Sequence, residues 1–246
     1  MGGLRSVHYF PPPQKGKGYK MTFLKTEPQP VGIAVAANNI EPATIARFRE
    51  HAENAMNPGD MLAIAQGTTR GYYNKSRELN RCIRRLLQTG CDIIIQSDID
   101  ILTTRDLLDA TRATVVPGVH FWVPCISHGR VRHSGKGSWN ALTRGDWIKT
   151  GGFDERCSGW GFEDVDFHIR CEKIGFVRKS CEKYPVHANH PERQSWSRED
   201  KRVTRARNVE ATKTPNDVNY LTHPGADDVN AFTDCAGSEI HLYEIR

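Results

Sequence analysis

The sequence predicts an α/β fold, a mostly parallel central sheet flanked by helices, and three observations carry that prediction. VGIAVAA (31–37), DMLAIAQ (60–66) and CDIIIQ (91–96) are continuous apolar runs of strand length, the composition of strands covered on both faces. Segments of helical periodicity separate them. Strand alternating with helix is the signature of βαβ units, whose strands are parallel and whose crossovers are right-handed.

Residues 1–30, rich in Pro, Gly and Lys, read as an arm or irregular edge. The first strand follows, then a helix from Pro42 to Asn54 and the second strand. NKSRELNRCIRRLLQTG (74–90) predicts a helix with Leu79, Cys82, Ile83, Leu86 and Leu87 on its apolar side and Gly90 as its stop. The third strand runs into Ser97-Asp98-Ile99-Asp100, beyond which Thr103–Asp106 has the residues of a helix start. HGRVRHSGKGSWN (128–140) reads as a long polar, basic loop, either closing over a bound diphosphate or a plain surface excursion. A glycine-rich stretch from Gly151 leads into a helix from Phe162, with Phe162, Val165 and Ile169 on one side, Phe167, Cys171 and Ile174 on the adjoining one, and Gly175 as its end. A strand around Lys183–Val186 precedes His187 and His190, and SREDKRVTRARN (197–208) reads as an exposed helix of mixed charge. The expected organisation is one domain over 31–215 with a C-terminal extension or lid at 216–246.

Composition bounds the function. The chain has 246 residues, 38% of them hydrophobic, enough to bury a real core. No apolar run reaches the length of a membrane span, and the first twenty residues lack a signal-peptide core, so a soluble cytoplasmic protein is expected. Seven scattered cysteines without a C-x-x-C pair indicate neither a disulfide framework nor a thiolate zinc site. A net charge of +5 suits anionic ligands such as nucleotide diphosphates and permits nucleic acid.

In doubly wound sheets ligands sit beyond the carboxyl ends of the strands. Asp98 and Asp100 stand at such an end, a D-x-D that suits a hard divalent cation which also holds phosphate oxygens; the alternative is an acidic turn. Glu163 and Asp164 fall in the first turn of the later helix, where the dipole favours ionised carboxylates. Before them Gly159-Trp160-Gly161 presents an aromatic plane suited to a sugar ring or base. His187 after its strand adds a nitrogen donor to the carboxylates, a mixed set that manganese accepts; a surface histidine pair is the alternative.

NKSRELN, IIIQSDID, GGFDERCSGWGFEDVDFHIR and HANHP, in that order, resemble the GT-A glycosyltransferases, above all the β-1,4-galactosyltransferases and their bacterial and phage relatives. The likeness spans about residues 31–210. It implies Asp98, Asp100 and His187 as metal ligands for Mn2+ or Mg2+, with Asp98 also near the nucleotide. It implies Asp164 as catalytic base, Trp160 and Glu163 as acceptor contacts, and Ala37, Tyr73 and Lys75 as nucleotide contacts. Where the animal enzymes place a methionine ligand three residues before the histidine, this chain has Tyr184. The implied reaction moves a sugar from a UDP-sugar donor to a hydroxyl with inversion, because Asp164 supplies the single base such a displacement needs. A glycan hydroxyl is the default acceptor; a hydroxymethylated base in DNA or a protein side chain are alternatives, and so is a module that binds the sugar nucleotide without turning it over.

Overall fold

A computed structural model of the chain describes residues 29–38, 40–67, 74–132, 138–159, 161–188, 198–222 and 239–246. In chain order they form β1 (Val31–Asn38), α1 (Pro42–Ala55), β2 (Met61–Gly67), α2 (Lys75–Leu87), β3 (Ile93–Ser97), β4 (Ile101–Leu102), α3 (Arg105–Thr114), β5 (Val119–Trp122), β6 (Cys125–Ser127), β7 (Arg130–Arg132), β8 (Trp139–Thr143), α4 (Arg144–Thr150), α5 (Glu163–Ile174), β9 (Val177–Lys179), β10 (Val186–His187), α6 (Arg198–Lys213) and β11 (Glu239–Glu244).

The main sheet has seven strands in the order β11-β2-β1-β3-β8-β5-β9. β2 and β3 pair with β1 in parallel, as the three apolar runs predict. β8 reverses against both β3 and β5, β9 runs parallel to β5, and β11 lies antiparallel on β2. All strands of this sheet except β8 and β11 therefore share one direction. A smaller sheet, β4-β10-β6-β7, sits beyond the end of β3.

Every residue of β1 is buried because both faces of the sheet are covered. Ile33, Val35 and Ala37 pack on α1 and α3 through Phe48, Ala52, Leu107 and Leu108. Ala34 and Ala36 face the α2 side, where Leu79, Cys82, Ile83 and Leu86 meet Trp147 of α4 and Phe167 of α5. Burying one such aliphatic side chain contributes roughly 1.5–3 kcal/mol, so a strand that is apolar throughout is stable only between two layers. Cys82, Cys91, Cys125, Cys157 and Cys171 are buried free thiols. Among the described residues no helix is long and apolar enough to cross a membrane.

Four local expectations change. α2 ends at Leu87 without a left-handed glycine: Arg144 of α4 donates to the carbonyls of Leu87 and Thr89, so a distant guanidinium caps the helix and Gly90 is not its stop. The expected loop at 128–140 is strand at both ends: a two-residue hairpin joins β6 to β7 through His128 and Gly129, both at positive φ, and β8 begins at Trp139, while residues 133–137 lie outside the described residues. α5 buries Glu163, Asp166, Phe167, His168 and Cys171, leaving Ile169 and Ile174 exposed, because it packs on Trp147 and β8 rather than through the Phe162–Ile169 side. The strand expected around Lys183–Val186 is only Val186–His187.

Candidate active site

β3 stops at Ser97, and the chain turns back at once, with the Ile101 N–H donating to the Asp98 carbonyl at 3.1 Å. Ile99, 3% exposed, anchors this turn in the core and leaves Asp98 and Asp100 on its polar side. β4 then pairs antiparallel with β10, His187 opposite Ile101, and the Ala188 N–H donates to the Asp100 carbonyl at 2.6 Å. This register sets His187 Nε2 3.3 Å from Asp100 Oδ2. The hydrogen bond to Asp100 outweighs partial burial and lifts the His187 pKa above its ordinary value.

The other wall comes from two helix N-termini. Asn74 caps α2 by accepting from the Arg77 N–H at 3.0 Å, which starts the helix at Lys75. Lys75 Nζ lies 2.7 Å from Asp98 Oδ1 and 3.2 Å from Glu163 Oε1. Burial opposes its charge, but the fields of Asp98, Glu163 and Asp164 prevail and hold its pKa well above the usual lysine value. Glu163 is buried, and its Oε2 has no hydrogen-bond partner among the described residues. Asp164 is half-buried, with Oδ1 accepting from the Val165 N–H at 2.8 Å.

The loop before α5 is held from three sides. Asn80 of α2 donates to the Phe153 carbonyl at 2.8 Å and accepts from the Phe153 N–H at 2.8 Å. Asp154 grips Arg156 through both carboxylate oxygens, and Asn216 also donates to it. Asn208 of α6 donates to the Gly161 carbonyl at 2.7 Å. Phe162, with φ 82, enters α5 in the left-handed region that a side chain disfavours, a local strain that the surrounding contacts sustain.

Segments far apart in sequence thus bring Asp98, Asp100, His187, Lys75 and Glu163 together, with Asp164 close enough to act on the Lys75 charge. Tyr73, Trp160 and His190 lie outside the described residues. Ala37, 0% exposed, belongs to the core and offers no side-chain surface to a nucleotide. Four carboxylates against one ammonium are a donor set that fits a divalent cation. Asp100 and His187 face each other as an oxygen and nitrogen pair, whereas Asp98 is turned to Lys75, and no three such side chains converge among the described residues. Two protein ligands suffice where phosphate and water supply the rest.

Sequence reasoning misses a buried amide cluster beneath this site. Asn140 of β8 donates to Gln96 Oε1 at 2.8 Å and accepts at Oδ1 from His168 Nε2 at 2.9 Å and His120 Nε2 at 3.0 Å. The signal was an asparagine in β8 (WNALT) and a histidine in β5 (VHFW), polar residues inside short apolar strands.

Residues 133–191 match the family profile described as the N-terminal domain of galactosyltransferase. Among solved structures, the catalytic domain of Drosophila β-1,4-galactosyltransferase 7 in complex with xylobiose superposes with a TM-score of 0.54 at 16% identity, covering 80% of this chain and 83% of that one. A point mutant of the same Drosophila enzyme, in complex with manganese, UDP-Gal and xylobiose, gives 0.53 at 14% identity, covering 72% and 79%. The mannosyltransferase PcManGT of Pyrobaculum calidifontis, in complex with GDP-Man and Mn2+, gives 0.51 at 20% identity, covering 78% and 68%. At these identities the likeness is one of fold, and the fold is that of the GT-A glycosyltransferases.

Proposed function

We propose that this GT-A glycosyltransferase moves a sugar from a UDP-sugar to an acceptor hydroxyl with inversion, and that Asp164 is its base. One observation carries the reading: Lys75 touches the D-x-D and the first turn of α5 at once, so donor-side and acceptor-side carboxylates border a single site. Asp100 and His187 would hold Mn2+ or Mg2+, with phosphate and water completing the shell, and Asp98, paired with Lys75, would stand beside the diphosphate. When bound, the cation supplies charge neutralisation for the departing diphosphate, so the protein needs no general acid.

The chain's own groups do the rest. Lys75 presents a fixed positive charge toward the phosphates. Asp164 accepts the proton of the acceptor hydroxyl as that oxygen attacks the anomeric carbon from the face opposite the leaving group. Glu163, anchored at Oε1 by Lys75, is the second carboxylate on the acceptor side. Trp160, three residues earlier in the chain, is assigned to the acceptor side on its sequence position alone. A glycan is the acceptor class, in line with the xylobiose of the Drosophila enzyme.

The test is incubation with Mn2+, a panel of UDP-sugars and GDP-mannose, and glycan or hydroxymethylated-DNA acceptors, read by mass spectrometry. Asp164→Asn removes the base but not its volume, so transfer falls by about 10²-fold or more while Mn2+-dependent UDP affinity stays within about threefold. Full transfer in that variant refutes the base. UDP binding with no turnover by the unaltered protein leaves a non-catalytic binding module instead.

A further inference from the structure

Asn140 links the two walls of the site from below. The antiparallel register sets Asn140 of β8 directly opposite Gln96 of β3, and Gln96 precedes Asp98 by two residues. On its other side Asn140 takes the Nε2–H of His168, one helical turn after Asp164 on α5. Gln96, Asn140, His120 and His168 are each 0 or 1% exposed. An amide oxygen only accepts, so both rings meet it through an Nε2–H.

Phe167 of α5 also stacks on Trp147 and Phe153, with ring centroids 5.0 and 4.6 Å apart, an apolar contact that carries no directional hydrogen bond. A hydrogen bond between buried groups tolerates far less misalignment. We propose that Asn140 is a positioning residue: its carboxamide ties the strand that ends in the D-x-D to the helix that begins with Asp164, and so holds the base at its working distance from the donor. The inference rests on the reading of Asp164 as base.

The experiment compares Asn140→Leu, His168→Phe, His168→Gln and His120→Phe in the full chain. Mn2+ with UDP-galactose, and in parallel with GDP-mannose, is the probe; release of the nucleoside diphosphate to water gives kcat, and calorimetry gives the affinity for UDP with Mn2+. A misplacement of about 1 Å costs on the order of 10²-fold. Asn140→Leu and His168→Phe therefore lower kcat about 10- to 100-fold while nucleotide affinity changes less than about threefold. His168→Gln, which keeps an N–H donor at similar reach, restores most of the rate. His120→Phe disturbs an equally buried ring that is held from β5, and leaves kcat within about threefold of the parent. Amide hydrogen exchange over residues 163–170 speeds up in Asn140→Leu and His168→Phe but not in His120→Phe, which tests the tie without turnover. Equal losses in His120→Phe and His168→Phe, or affinity falling in step with kcat, overturn the proposal. Unchanged hydrolysis in Asp164→Asn would instead remove the base assignment, whatever the other variants do.

Discussion

A single ammonium sets the electrostatics of the site. Lys75 stands between Asp98 and Glu163, so the acid-rich region is held together by a side chain whose sequence position predicted only contact with a nucleotide. The placement of Asp98 and Asp100 at a strand end and of Asp164 at a helix start was legible because D-x-D after an apolar run and GWGFEDVD before a helical period are local patterns. The Lys75 bridge and the Asn140 cluster were not, since each arises from tertiary pairing between segments that carry no mutual signal. His120 yields a pH prediction. Burial, against a weaker opposing hydrogen bond to Asn140, drops its pKa from 6.5 to about 4. The unfolded chain takes up a proton below about pH 6.5 that the folded chain refuses until about pH 4. The stability this ring contributes is therefore complete above about pH 6.5 and falls by up to about 3 kcal/mol as the pH drops toward about 4. Urea midpoints measured from about pH 7.5 to about pH 4.5 should show the decline, and His120→Phe should flatten it.

At the scale of elements, the turn that begins at Gly151 matters more than the helix it precedes. Gly152 has φ 84, and a β-carbon there would stand 2.5 Å from Asn80 Oδ1, the atom that holds the Phe153 N–H. Gly152→Ala therefore combines left-handed strain with the loss of a buried hydrogen bond and should cost about 2–4 kcal/mol by chemical denaturation. Gly59, with φ 86 but no atom within 4 Å of such a carbon, should cost only about 1–2 kcal/mol when changed to Ala. β1, α1, β2, α2 and β3 follow closely from apolar pattern and helix signals. α5 shows where that reasoning stops: its period was clear, but which stripe turns inward depends on Trp147 and Asn140, residues outside the helix. The β6–β7 hairpin was hidden because its tip is His128-Gly129 and its strands carry Arg130 and Arg132, a composition that reads as loop.

For the molecule as a whole, local alternation foretold the parallel half of the sheet, and nothing local foretold its far edge. β8 and β11 run antiparallel to their neighbours, and a sequence pattern does not record where such strands dock. β11 covers the outer edge of β2 from Gln66 to Met61, Ile245 enters the core beside it, and Arg49 of α1 lies over the Tyr243 ring with its guanidinium carbon 4.5 Å from the centroid. Deleting residues 239–246 uncovers that edge and those contacts. A lower melting temperature and concentration-dependent light scattering are expected; a truncated protein as stable and monodisperse as the parent would show the strand to be dispensable. The order of synthesis gives this strand a further meaning. β2 leaves the ribosome about 170 residues before its partner β11, so the nascent chain displays an unsealed strand until β11 emerges, and its yield in a cell should depend on chaperones that guard such surfaces in that interval.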